Sequence, residues 1–191
     1  MLKISIARGA TFACALLLAI AGSPSAHGQA LPTATIHGGE AQVGGGVTYG
    51  KPDFGQDWIG GITAFGDYDL FPHIGVEANA HFATLHTPQD LGEETYEAGP
   101  RVSFRKYRFE LYGKAQIGYG RFVVQEVDGT YNAGKANASS YMYSFGGGLD
   151  YHASRRITVR VFDLEYQDWP NFANHGLTPV LGTIGVAYRF R

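Results

Sequence analysis

The chain has 191 residues, of which 15 are basic and 17 acidic, giving a net charge of −2 with neutral histidines. That balance excludes the strongly basic surface of a nucleic-acid-binding protein, and the length suits one domain or a small barrel. A single cysteine excludes a disulfide framework, so the fold must be held by burial and hydrogen bonding. Glycine is the outlier: 27 residues, about twice the usual ~7%, beside 12 Tyr and 12 Phe.

Residues 1–30 read as a secretory signal peptide. Lys3 and Arg8 precede an apolar run from about Gly9 to Gly22, and small residues follow, with Ala26-His27-Gly28 or Gly28-Gln29-Ala30 as the cleavage site. The run is too short for a transmembrane helix. Cys14 lies before the Leu-rich part of the run, which argues against a lipoprotein anchor and leaves the mature chain without a thiol. Loss of Lys3 and Arg8 leaves 13 basic against 17 acidic side chains, a net charge of −4. Residues 31–40 are expected to be a periplasmic lead-in.

From Ala41 the chain alternates apolar and polar residues with a period of two, the mark of strands with unlike faces. Eight runs of about 10 to 13 residues begin near Ala41, Trp58, Ile74, Thr95, Arg108, Ser140, Ile157 and Thr178. Val43, Val47 and Tyr49 mark the apolar face of the first, and Ile62, Ala64 and Tyr68 that of the second. The third sets Ile74, Val76, Ala78, Ala80 and Phe82 against Gly75, Glu77, Asn79 and His81. In the fourth, Tyr96, Ala98, Pro100, Val102 and Phe104 oppose Glu97, Gly99, Arg101, Ser103 and Arg105. The fifth opposes Phe109, Leu111, Ala115, Ile117 and Tyr119 to Glu110, Tyr112, Lys114 and Gln116. Tyr141, Tyr143, Phe145, Leu149 and Tyr151 share one face of the sixth, with Met142, Ser144, Gly146, Gly148, Asp150 and His152 on the other. The seventh changes phase between Val161 and Phe162; a β-bulge would repair it, and an inward Phe162 is the alternative. The eighth ends "GTIGVAYRFR", with Ile184, Val186, Tyr188 and Phe190 on one face and Thr183, Gly185, Ala187, Arg189 and Arg191 on the other.

Connections alternate in length. Those at 71–73, 105–108 and 153–156 are tight, whereas the other four are longer and polar. An even number of strands joined in this way predicts an all-β, eight-stranded, antiparallel up-and-down barrel over residues 41–191. Closure removes exposed sheet edges. The charged face carries Glu77, Glu97, Arg101, Glu110, Lys114, Asp150, Arg160, Asp163 and Glu165. The apolar face carries Tyr and Phe near the strand ends, as an interfacial aromatic girdle does. With runs long enough to cross a bilayer at a tilt, about 9–11 residues, this predicts a transmembrane barrel with lipid outside and charges inside. Bare alternation also fits a soluble periplasmic barrel that binds a small ligand.

With its signal peptide, eight runs and closing "IGVAYRF", the sequence resembles the small outer-membrane β-barrel family, the OmpA/OmpX-like group of Gram-negative bacteria. The resemblance covers about Ala41 to the end. It implies a cell outer membrane location, outer-membrane lipid as solvent, and a C-terminal signal in Val186, Tyr188 and Phe190 read by the barrel-assembly machinery. Family members usually end on the aromatic residue, whereas here Arg191 follows Phe190. No peptidoglycan-binding domain follows the barrel, so a wall-anchoring role is not expected.

The interior of an eight-stranded barrel is just wide enough for its own side chains, so the nine inward charges are read as a structural network that plugs the barrel. His152 and Ser154, with Glu165, resemble the His-x-Ser plus Glu arrangement of the outer-membrane lipid A deacylase. However, Glu165 falls near the far end of its strand, beyond hydrogen-bond reach at ~3.3 Å per residue. The seven histidines show no helical ligand spacing. The expectation is therefore a non-enzymatic barrel with a structural or surface role in adhesion or envelope integrity, without cofactor, metal or nucleic acid, its extracellular partner unknown.

Overall fold

The computed structural model describes residues 39–53, 58–86, 92–123, 139–171 and 176–190. The expected signal peptide and most of the lead-in lie outside the described residues, as do Arg191 and the middles of the four long connections.

Eight strands follow in chain order: β1 (Ala41–Lys51), β2 (Ile59–Phe71), β3 (Ile74–His86), β4 (Gly92–Lys106), β5 (Phe109–Val123), β6 (Ser139–His152), β7 (Ile157–Asp168) and β8 (Val180–Phe190). Each is antiparallel to its sequence neighbours. β8 returns to β1 from Ala41 opposite Phe190 to Lys51 opposite Val180, and the barrel is closed.

Three boundaries differ from those expected. β4 begins at Gly92 instead of Thr95, because Glu93 and Glu94 remain paired with Phe122 and Arg121 of a long β5. β4 and β5 therefore reach 15 residues, beyond the expected 10 to 13. β8 begins at Val180 instead of Thr178. The Thr178 hydroxyl donates to the Asp53 carboxylate at 2.8 Å, and Leu177 forms an isolated bridge with Trp169.

Phase is as the alternation requires. Val47, Ile62, Ile117, Phe145, Ile184 and Val186 are 50–68% exposed on the outer face, while the charged positions between such residues are buried. A soluble ligand-binding barrel would have these faces reversed, with apolar side chains inside. The bulge expected in β7 is present: the β7–β8 register shifts between Arg160 and Asp163, and Val161 and Phe162 both point outward. The extra residue keeps Arg160 and Asp163 on the same inner face although three positions separate them.

Aromatic side chains collect near both rims. Tyr49, Trp58, Tyr96, Tyr119, Tyr141, Tyr143 and Tyr166 lie toward the long-connection end, and Tyr68, Phe71, Phe104, Phe109, Tyr188 and Phe190 toward the short-turn end. Tyr49 stacks on Trp58 at 5.4 Å, and Tyr188 meets Phe190 edge-on at 5.1 Å. Amphipathic rings with an apolar body and a polar tip suit the two interfaces of a bilayer. At the short-turn end Tyr107 has φ 58°, a left-handed conformation that lets only two residues join Lys106 to Phe109.

Inward glycines make room for large side chains. A Cβ at Gly120 would overlap Trp169 Cη2, and one at Gly148 would lie 2.6 Å from the Tyr112 hydroxyl. The indole of Trp169 thus lies across the long-connection end of the interior with Ile59, Ala83, Phe122, Met142 and Leu177, an apolar cap over a polar lumen.

Val186 sits near the middle of β8 on the outer face. Val186→Arg is expected to destabilise the barrel by about 2–4 kcal/mol, the cost of a cation near the bilayer midplane. Equilibrium unfolding of the refolded barrel in lipid vesicles measures it, and an unchanged midpoint would reverse the assignment of faces.

Candidate functional site

The interior is organised in two layers below the apolar cap. The lower layer, toward the short turns, is centred on Glu77 of β3. Arg160 of β7 reaches across the barrel and donates to both Glu77 oxygens at 3.1 Å, a bidentate pair. Lys114 donates to Glu77 at 3.2 Å, and Arg101 Nε lies 3.4 Å from it. The same three cations hold the surrounding carboxylates. Arg101 donates to Asp67 and Asp150 at 2.9 Å each and lies 3.2 Å from Glu110. Arg160 donates to Asp150 at 3.3 Å and to Asp163 at 3.1 Å, and Lys114 donates to Asp163 at 2.8 Å.

Aromatic faces complete the guanidinium contacts. Arg160 lies 3.7 Å above the Phe65 ring, and Arg101 lies 4.2 Å from the Tyr112 centroid. Such stacking suits the planar, weakly hydrated guanidinium better than it would an ammonium.

The upper layer contains His81, Glu97 and Glu165. His81 Nε2 is 3.0 Å from Glu97 and 3.6 Å from Glu165, while Nδ1 is 2.7 Å from the Thr63 hydroxyl. Thr63 continues a row of hydroxyls through Thr48 to Thr183. Glu97 also accepts from Ser144 Oγ at 2.5 Å. Gln167 donates to Glu165 at 2.9 Å and accepts from the Trp169 indole at 3.0 Å, tying the cap to the layer below it. Near the short-turn mouth, His152 and Arg105 meet Glu110 at 3.0 and 2.6 Å. There a recess of about 180 Å³, open mouth included, is bounded in part by Gln42, Asp67, Arg105 and Glu110.

All nine charged residues picked from the alternation lie inside, none more than 6% exposed. Pairing runs between strands and layers: Glu97 bonds His81 and Ser144 instead of Arg101 on its own strand. His81, His152 and Arg189, which the alternation placed on the polar face without counting them among the nine, also belong to the interior charge system, as do Asp67 and Glu93. Asp67 was legible, since it continues the inward period of Thr63 and Phe65. Glu93 fell outside because β4 was expected to start too late. Trp169 continues the inward period of Asp163, Glu165 and Gln167 one step past the end of β7, so it was legible on the same ground as Asp67.

The deacylase-like residues do not assemble. Ser154 Oγ accepts from the backbone N–H groups of Arg156 and Ile157 inside its tight turn. His152 contacts Glu110, Thr158 and Arg189, whereas Glu165 belongs to the upper layer. Val186, Tyr188 and Phe190 lie in a row on the lipid face of β8, 41–52% exposed.

The family profile described as "Outer membrane protein beta-barrel domain" matches residues 12–190. The chain belongs to this outer-membrane β-barrel family. It is a cell outer membrane protein. No curated protein sequence matches it. Among solved structures this outer-membrane barrel is similar to Neisserial surface protein A (NspA), with a TM-score of 0.61 at 12% identity over 79% of this chain and 96% of that one. The N-terminal β-barrel domain of Pseudomonas aeruginosa OprF matches with a TM-score of 0.56 at 10% identity, covering 80% and 99%. Ail, the attachment invasion locus protein of Yersinia pestis, matches with a TM-score of 0.51 at 19% identity, covering 80% and 99%. At these identities the likeness is one of fold.

Arg160 serves three carboxylates at once. Replacing Arg160 by Met is expected to cost about 3–5 kcal/mol, because it strands buried charge on Glu77, Asp150 and Asp163. Adding Glu77→Gln to Arg160→Met should recover part of that loss, and a double-mutant cycle of unfolding free energies measures the coupling.

Proposed function

We propose that this outer-membrane barrel is non-enzymatic, closed to solutes, and acts as a structural or surface-interaction protein in adhesion or envelope integrity. The observation that supports the reading is the ion pairing that spans the lumen. Arg101, Lys114 and Arg160 bridge carboxylates from opposite walls, and Trp169 lies over them against Gly120. A solute path would require these pairs to separate without replacement partners, which is costly in a low-dielectric lumen. Side chains that would make a hydrolase are engaged elsewhere, with Ser154 Oγ satisfying a turn.

In this reading the short turns and both ends of the barrel domain lie in the periplasm, and the four longer connections face outward. Outer-membrane lipid is the solvent of the apolar face. The barrel-assembly machinery is the partner during insertion, reading Val186, Tyr188 and Phe190. The attachment for which the Yersinia pestis protein is named supports a surface role by likeness of fold.

Two measurements test the proposal. Purified barrel reconstituted in planar bilayers should give no large, stable single-channel steps, and their appearance would overturn the sealed interior. Incubated with lipid A, the barrel should release no fatty acid; release abolished by Ser154→Ala would establish the hydrolase instead.

A further inference from the structure

The two interior layers differ in charge balance. Among the described residues, eight carboxylates are buried in the barrel (Asp67, Glu77, Glu93, Glu97, Glu110, Asp150, Asp163 and Glu165), against the cations Arg101, Lys114, Arg160 and Arg189. All four arginine and lysine side chains sit level with or below Glu77 and its neighbours, except that Lys114 also reaches up to Glu165 at 3.0 Å. The upper layer therefore holds Glu93, Glu97 and Glu165 with one shared ammonium and a histidine. Buried carboxylates without compensation are among the most costly groups a protein can hold.

Glu93 makes the deficit acute. It is fully buried, and neither of its oxygens makes a hydrogen bond of good geometry. Its inward side chain has Gln167 beside it and lies within electrostatic range of His81, Glu97 and Glu165. Were it ionised, an acid in that position would add negative charge to the cluster, so it is either protonated or compensated by a cation.

We infer that His81, Glu97 and Glu165 form a binding site for a divalent transition-metal cation of the Zn²⁺ class, with Glu93 as an outer carboxylate. One ligand atom from each of the three residues lies within 4.8 Å of the other two. Metal–ligand bonds of about 2.0–2.2 Å put neighbouring ligand atoms roughly 3–3.5 Å apart, and the His81 nitrogen is 3.0 and 3.6 Å from the two carboxylates. Imidazole nitrogen with two carboxylates is a borderline donor set that suits Zn²⁺, whereas Ca²⁺ asks for six to eight oxygens.

The surroundings complete the site. Thr63 Oγ1, 2.7 Å from Nδ1, is placed to take the Nδ1 proton, which leaves the Nε2 lone pair directed at the carboxylates. Ser144 and Gln167 orient Glu97 and Glu165 by donating to their outer oxygens. Lys114 has Glu77 and Asp163 as further partners at 3.2 and 2.8 Å, so it is not stranded if Glu165 turns to a metal. A proton on Nε2 is the rival occupant; it would bridge Glu97 and Glu165 but supply only half the charge.

The test uses the whole barrel refolded in detergent after exhaustive chelation, with ZnCl₂ present during refolding because the site lies beneath the Trp169 cap. After gel filtration, elemental analysis should give one zinc per folded barrel, and Co²⁺ in its place should show the visible absorption of a low-coordinate site. His81→Gln and Glu97→Gln should abolish retention, and Glu93→Gln should weaken it roughly tenfold, as loss of an outer-shell group does. His86→Gln, on the outer rim, should leave retention unchanged. Heat-modifiability gels show whether each variant is folded. Cadmium-113 NMR of the wild-type barrel gives a variant-independent readout, with one resonance expected in the range of nitrogen and oxygen ligands. A folded wild-type barrel that retains no zinc, or His81→Gln protein that retains as much, would overturn the inference and leave a proton as the occupant.

Discussion

The ladder between β1 and β8 is the contact on which the rest of the structure depends. Eleven residue pairs, from Ala41 with Phe190 to Lys51 with Val180, turn an open meander into a ring without edges. In lipid no water is present to satisfy a free strand edge, so an open sheet of these eight strands would not be tolerated. Closure also sets the width of the lumen. Once the walls are fixed, every inward side chain competes for the same small volume, and the composition of the inner face follows from that limit.

Volume explains the pairing of glycine with bulk across the lumen. Trp169 needs Gly120, Tyr112 needs Gly148, and Phe65 lies where a Cβ at Gly44 would sit 2.6 Å from its ring. Tyr112 and Phe65 then bring polarisable faces to the buried guanidinium groups of Arg101 and Arg160. The ion network is therefore packed as a core is packed. Its contribution is to specify one arrangement of side chains; buried ion pairs contribute less net stability than their number suggests.

The asymmetry between the two layers connects the fold to function. Below, each carboxylate around Glu77 has at least one guanidinium or ammonium within about 3.5 Å, and the network closes on itself. Above, among the described residues, Glu97 and Glu165 share His81, Lys114 reaches only Glu165, and Glu93 has Gln167 alone beside it. A layer whose only task was to fill the barrel would gain from an apolar residue at position 93. The polar surplus directly under an apolar cap is thus the part of the interior that filling alone does not explain.

The period of two in the amino-acid sequence determined the number of strands and the face each residue occupies, because each strand has two unlike sides. That the apolar side meets lipid rests on the aromatic girdle and the strand lengths, not on the alternation. Even the Val161–Phe162 bulge was legible as a break in that period. The nine interior charges followed from the same alternation. What alternation cannot carry is which inward residues meet, since partners such as Arg160 and Glu77 are 83 positions apart and face each other only after closure sets the stagger. Glu93 depended on how far β4 extends beyond its apolar run, a matter of register with Phe122. Trp169 continues the inward period of Glu165 and Gln167 one step past the end of β7, but that it lies across the lumen depends on the space left at Gly120. Identity of face is a local property of the strand, whereas partnership across a lumen is a property of the closed ring.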